Sequence, residues 1–149
     1  MGAGCHFLIV KEMTAVASTF SIHREAGMEN NEQKNIWETY TKSWSQADAS
    51  QRLSLFEQCL SPDCVYTDPK IQTSGYDHLS AYMSEFQKNV PGGRFATTDF
   101  RNHHDSSLAQ WEMQDGKGNT LMQGVSFAVY GADGRLKQTT GFFEPLKAG

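Results

Sequence analysis

Residues 95–143 read FATTDFRNHHDSSLAQWEMQDGKGNTLMQGVSFAVYGADGRLKQTTGFF. Four runs in this stretch, Phe95–His103, Leu108–Gln114, Thr120–Val129 and Leu136–Phe143, alternate or stay apolar, as strands with one buried face do. Between them lie His104-Asp105-Ser106, Asp115-Gly116-Lys117-Gly118-Asn119 and Gly131-Ala132-Asp133-Gly134. These are turn formers, because Gly tolerates left-handed backbone and Asp or Asn bonds its own backbone. Consecutive strands joined by such short turns predict an antiparallel meander.

Upstream the periodicity changes. Ile36, Trp37, Tyr40 and Trp44 recur at helical spacing, with Glu38, Lys42 and Gln46 mostly elsewhere on the wheel. A second helix follows Ala47-Asp48, with Leu53, Phe56 and Leu60 as its apolar face, and Ser61-Pro62 is expected to end it. Cys64-Val65-Tyr66-Thr67 reads as a short strand stopped by Asp68-Pro69. A third helix is expected after Ser74-Gly75, with Leu79, Tyr82, Met83, Phe86 and Val90 as its stripe and a stop at Pro91-Gly92-Gly93. Residues 1–28 carry no sustained period and read as an extension, leaving 29–149 as the domain.

The expected class is therefore α+β, with three helices on a curved antiparallel sheet. Three helices cannot cover both faces of such a sheet. One face would wrap the helices around a cavity, and the other would need a partner, for which a homodimer is the economical solution.

At 149 residues the chain fits one domain, and its 38% apolar content, with nine Phe, five Tyr and three Trp, suffices for a core and an aromatic pocket. A net charge of -4 without a Lys/Arg run disfavours nucleic acid. Phe7–Val10, the longest apolar stretch near the N-terminus, is broken by Lys11 and Glu12, which supports neither export nor membrane insertion. Cys5, Cys59 and Cys64 cannot all pair, and they read as reduced thiols in a cytoplasm. The hairpin glycines Gly116, Gly118, Gly131 and Gly134 lack the strand-to-helix setting of a phosphate loop.

This order of elements, from about Asn30 to Pro145, resembles the nuclear transport factor 2-like superfamily, in its SnoaL-like, polyketide cyclase-like branch. The resemblance rests on the aromatic first helix running into Ser45-Gln46-Ala47-Asp48, on Leu55-Phe56, and on Val65-Tyr66-Thr67-Asp68-Pro69. Ser74-Gly75, Trp111 and Asp133-Gly134-Arg135-Leu136 add to it. It implies a cone-shaped, cystatin-like fold whose sheet is mixed at the first short strand, and cofactor-free acid/base chemistry of the isomerase, cyclase or dehydratase kind.

A more distant resemblance to steroid Δ-isomerases implies Asp68 as general base and Tyr40 as hydrogen-bond donor to a developing oxyanion. The chemistry is sound: a carboxylate beside an apolar cavity becomes a better proton acceptor, and a phenol can stabilise negative charge. The sequence departs from that relative where a second acid is expected, since the region reads Val125-Ser126-Phe127, and Met83 replaces a supporting Tyr. SnoaL-like cyclases pair an Asp with a His. His103 and His104 are the candidates here, and strand alternation favours His104. They do not make a metal site, for adjacent strand residues point to opposite faces and further ligands are lacking.

Trp44, Tyr66, Met83, Phe86, Trp111 and Phe142 are the expected pocket walls, suited to a hydrophobic or aromatic small molecule. Each is equally an ordinary core residue. Two rivals to an enzyme stay open: a non-catalytic ligand-binding module and a protein-interaction scaffold.

Overall fold

The computed structural model describes residues 31–144, so the extension expected over 1–28 lies outside the described residues. Helix α1 covers 31–43 and buries Trp37, Tyr40, Thr41 and Trp44 along one side, the last just past its end. The spacing of four and three is that of a single helical face. Helix α2 (Ala49–Cys59) starts on Asp48, whose carboxylate accepts from the Ser50 N–H at 3.1 Å, a side-chain N-cap.

The buried side of α2 differs from the sequence expectation. Arg52, Phe56 and Cys59 point inward, and Leu53 is 44% exposed. Arg52 can be buried because its guanidinium donates to Ser80 Oγ at 3.1 Å, to the Gln46 carbonyl at 2.6 Å and to Ser84 Oγ. Those acceptors fasten α2 to the α1–α2 loop and to α3 (Tyr76–Asn89). Desolvation lowers the Arg52 pKa, and Asp48 opposes the shift.

Leu60 belongs to strand β1 (Leu60–Thr67), which starts earlier than the expected Cys64. Pro62 is tolerated there because the pairing of β1 with the last strand skips from Leu60 to Val65, so its missing N–H is not needed. A strand absent from the sequence reading, β2 (Gln72–Ser74), returns antiparallel along β1. In α3, Leu79 and Met83 are fully buried, Tyr82 and Phe86 are half-buried, and Val90 caps the helix from outside.

Strands β3 (Arg94–His103), β4 (Ser106–Gln114), β5 (Thr120–Tyr130) and β6 (Leu136–Phe142) form the expected antiparallel meander. The sheet order is β2-β1-β6-β5-β4-β3, and β1 pairs with β6 in parallel, which makes the sheet mixed at that point. Register shifts within the β3–β4, β4–β5 and β5–β6 pairings bend the sheet. The architecture is α+β, with a curved mixed sheet packed on helices.

On the helix side of the sheet stand Ala109, Trp111 and Met113 of β4, and Ser126, Ala128 and Tyr130 of β5. On the other side Leu108, Phe127 and Phe142 are exposed. Trp111 is paired across β4–β5 with Gly124, and its indole lies over that backbone. A Cβ at Gly124 would overlap the Trp111 ring and stand 2.9 Å from the Phe142 carbonyl oxygen. Gly124→Ala should therefore destabilise the domain by about 1–3 kcal/mol through overpacking, read as a lower urea midpoint with an unchanged slope. A midpoint equal to that of the parent would mean that Trp111 has other room.

Candidate functional site

A cavity of about 550 Å³ opens between the helices and the sheet. Its helical wall carries Trp37, Tyr40 and Thr41 of α1, Trp44, and Tyr82 and Phe86 of α3. Its sheet wall carries Tyr66, Phe95, Trp111, Met113 and Met122, with Ser126, Gly141 and Phe143 on the β5–β6 side. Trp44 organises the rings, with centroids 5.2–6.0 Å from those of Phe95, Phe86, Tyr66 and Tyr82. Most of these contacts are tilted or edge-to-face, the arrangement ring quadrupoles favour. Trp37 donates its indole N–H to Thr97 Oγ1 at 3.0 Å, and Trp111 donates to Ser126 Oγ at 3.0 Å.

Asp68 is the one acidic group buried in this wall, at 8% exposure. It follows β1 directly, where the chain turns into β2. Its Oδ1 accepts from the backbone N–H groups of Lys70 at 2.8 Å and Ile71 at 3.0 Å, and its own N–H donates to the Ile71 carbonyl at 2.9 Å. This closes the turn in the way Asp does before a short hairpin. Its Oδ2 accepts from two phenols, Tyr66 at 2.7 Å and Tyr82 at 2.8 Å. An ionised carboxylate offers about four acceptor sites, so these donors occupy all of them.

Both phenols are held protonated. Burial pushes Tyr66 far above its ordinary value, with the Tyr40 phenol and the Asp68 carboxylate adding to the shift. Burial and then the hydrogen bond to Asp68 do the same for Tyr82. Tyr40 is also raised by burial, while contacts with Trp44 and Thr139 pull it part of the way back. All three remain hydrogen-bond donors at any physiological pH.

Of the residues singled out from sequence, Asp68, Tyr40, Trp44, Tyr66, Phe86 and Trp111 come together on this cavity. Met83 does not line it. It is fully buried behind the wall, where Ser43 Oγ lies 3.7 Å from its sulfur. Phe142 is 57% exposed on the outer face, and its neighbour Phe143 takes the inner position. One residue along a strand reverses the face.

His104 is not brought to the cavity. It sits exposed in the β3–β4 turn with φ 52°, a left-handed conformation that His tolerates better than most residues, and its carbonyl accepts from Gln33 Nε2 at 2.8 Å. Exposed His103 stacks edge-on against it. Among the described residues, no three His, Cys, Asp or Glu side chains converge to hold a metal ion.

The sequence reading missed Tyr82 as a partner of Asp68, because nothing local links α3 to the turn after β1. It also passed over Ser126 as a pocket residue. A signal existed there: Ser126 shares its strand face with Ala128 and Tyr130, so a polar residue stands on the buried side.

The sequence pattern of the SnoaL-like domain matches residues 39–139. No curated protein matches the chain significantly. Among solved structures, a candidate isomerase of the SnoaL-like family from Agrobacterium tumefaciens aligns with TM-score 0.70 at 22% identity, over 77% of this chain and 99% of that one. A protein of unknown function with a cystatin-like fold from Methylobium petroleophilum aligns with TM-score 0.64 at 12% identity, over 80% of each chain. A candidate polyketide cyclase from Sinorhizobium meliloti aligns with TM-score 0.58 at 14% identity, over 72% of this chain and 93% of that one. At such identities the likeness is one of fold, which does not carry an activity with it.

The buried acids of this region set a pH limit. Burial raises the Cys59 and Cys64 thiols to about 12, and Tyr130 likewise to about 12. A group whose folded pKa lies above its unfolded one stabilises fully below the unfolded value and loses that contribution as pH rises to the folded one. Stability should therefore hold up to about pH 9 and fall steeply between about 9 and 12. Urea midpoints across that range check the fall. Alkylation at pH 8 with peptide mapping should leave Cys59 and Cys64 unmodified until denaturant is added.

Proposed function

The chain belongs to the SnoaL-like domain family, and we propose that its cavity binds a flat, largely apolar small molecule on which Asp68 performs a cofactor-free proton transfer. The observation that supports this most is a carboxylate buried in an aromatic cavity wall with every acceptor site occupied. A charge is costly to bury, and a hairpin turn alone does not require one inside a cavity.

In the proposed chemistry a C–H bond beside a carbonyl breaks, its electron pair forms a C=C bond while the carbonyl π pair moves to oxygen, and the proton passes to Asp68 Oδ2. Return of that proton to another carbon gives an isomer; ring closure or loss of water are the other outcomes open to the enolate. For Oδ2 to receive the proton one phenol must move aside. Tyr82 fits this better than Tyr66, being half-buried on α3 where Tyr66 is 6% exposed within the sheet. Tyr40, neutral and on the same wall, is the proposed partner of the oxygen that gains charge. His104, exposed in its turn, has no part in this proposal.

A second reading is favoured by the same hydrogen bonds: Asp68 fastens the wall, and the cavity only binds. α-Proton exchange of α-tetralone in D₂O, followed by NMR, separates the two. Acid/base chemistry predicts protein-dependent exchange that Asp68→Asn reduces by about 10²-fold or more, with ligand-induced thermal stabilisation retained. Binding without exchange in the parent protein supports the module instead.

The outer sheet face supports a further part of the proposal, self-association. Leu108 and Phe127 face each other across β4–β5, and Phe142 pairs with Val125 beside them. An apolar patch of this kind suits a second copy of the same face, as in an isologous dimer. No helix among the described residues is long and apolar enough to cross a membrane. The free thiols Cys59 and Cys64 fit the reducing cytoplasm we propose. Light scattering at micromolar concentration should give twice the chain mass, and Phe127→Glu should give the single mass with the fold intact by circular dichroism. A parent protein of single mass would remove the dimer.

A further inference from the structure

Ser126 presents a hydrogen-bond donor with no protein acceptor. It is 7% exposed, stands on β5 facing the helices, and lines the cavity. Trp111 Nε1 lies 3.0 Å from its Oγ. An indole nitrogen only donates, so the serine oxygen must accept there, and its own hydrogen is left to point elsewhere. Among the described residues no group takes that hydrogen. A buried donor without an acceptor carries the full cost of its lost hydration unless something in the cavity supplies one.

What stands next to it narrows the choice. Ser126 pairs with Gly141 across β5–β6. Thr67 pairs with Thr140 across β1–β6, which brings Asp68, the next residue, beside Gly141. A Cβ built on Gly141 would lie 3.6 Å from Ser126 Oγ and 3.9 Å from Asp68 Cβ. Adjoining strand positions thus carry a row of carboxylate, gap and hydroxyl; the outer backbones are about two strand spacings, or ~10 Å, apart, and the side chains converge on the gap between them. Gly141 has no side chain to fill the space between them, and that space opens into the cavity.

We propose that Ser126 donates its free hydrogen to an acceptor oxygen of the cavity's ligand, and that the ligand is therefore an apolar molecule carrying a carbonyl held over Gly141, within reach of Asp68. The inference rests on the reading of the cavity as a small-molecule site and specifies what that molecule must carry. Ser126 is a positioning donor of fixed direction, because the Trp111 N–H occupies one side of its oxygen and orients the hydroxyl. In the proton transfer it would share with Tyr40 the charge arriving on the carbonyl oxygen.

The test compares α-tetralone with tetralin, the same two rings without the oxygen, by quenching of tryptophan fluorescence. The parent protein should prefer the ketone. Ser126→Ala should weaken ketone binding by about tenfold and leave tetralin unchanged, so that the preference disappears. Since that variant also takes the acceptor from Trp111, Gly141→Ala provides an independent arm. Its added methyl meets neighbours only at ordinary contact distance, so thermal stability should be kept while the ketone loses its place. A ketone preference that survives in Ser126→Ala overturns the assignment. Equal affinity of the parent for both compounds overturns it too and leaves the cavity reading standing. Failure of both compounds to bind overturns the cavity reading and this inference together.

Discussion

The structure turns on the burial of one carboxylate. Taking an ion of this size out of water costs several kcal/mol even after relaxation, unless hydrogen bonds replace the lost hydration. Asp68 obtains them from three parts of the chain: Tyr66 within β1, the backbone of the β1–β2 turn, and Tyr82 on α3. Each supplier is thereby fixed in place. The turn geometry sets the register of β2 on β1, and the Tyr82 bond ties α3 to the end of the sheet where β1 runs parallel to β6. Trp44, just past the end of α1, packs against both tyrosines and so joins the first helix to the same point.

The cavity follows from what is small as much as from what is large. Trp111 can fold its indole over the sheet because Gly124 is its cross-strand partner. Gly141 and Ser126 leave a hollow beside Asp68 that two larger residues would fill. Trp44 meets Phe95 and Tyr66 where the helical and sheet walls join, and the rings beyond that junction leave the volume open. A core of this composition would ordinarily close to crystal-like density. Here the curvature of the sheet and these small positions keep it open.

The meander and the three helices were legible because each rests on a local period or turn signal, whereas the mixed first strand came with the family resemblance. Alternation survives in β4, from Val125 to Tyr130 of β5 and from Gln138 onward in β6, as does the α3 stripe through Leu79, Met83 and Phe86. Errors arose where tertiary partners overrode pattern. Arg52 is inside because three acceptors on neighbouring elements meet it, and no periodicity in α2 reveals them. Strand β2 exists because the Asp68 turn sends the chain back, which three polar residues do not announce. At the end of β6 the choice between Phe142 and Phe143 depended on register, and register is set by pairing with β5. The ring-bearing wall could be named from sequence, and Asp68 and Tyr40 came with the family resemblance. The hydrogen-bond network around Asp68 could not be read, since its members lie on separate elements.

That network sets the terms of any chemistry at Asp68. A hydrogen bond from a phenol to a charged group is worth about 1.5–3 kcal/mol, so freeing Oδ2 by moving Tyr82 is a real cost. General-base catalysis by a positioned group contributes about 10²–10⁴ in rate, or about 3–5 kcal/mol. The gain exceeds the cost, provided that the ligand itself displaces Tyr82 and that the other three donors hold the carboxylate still. Two of those three are backbone N–H groups of a closed turn, and the third is a buried phenol inside a strand. The carboxylate therefore has three donors from β1 and its own turn, and a fourth, Tyr82, that reaches it from α3. The proton transfer proposed for Asp68 would use that division, with three donors orienting the carboxylate and the fourth, from α3, giving way to the ligand.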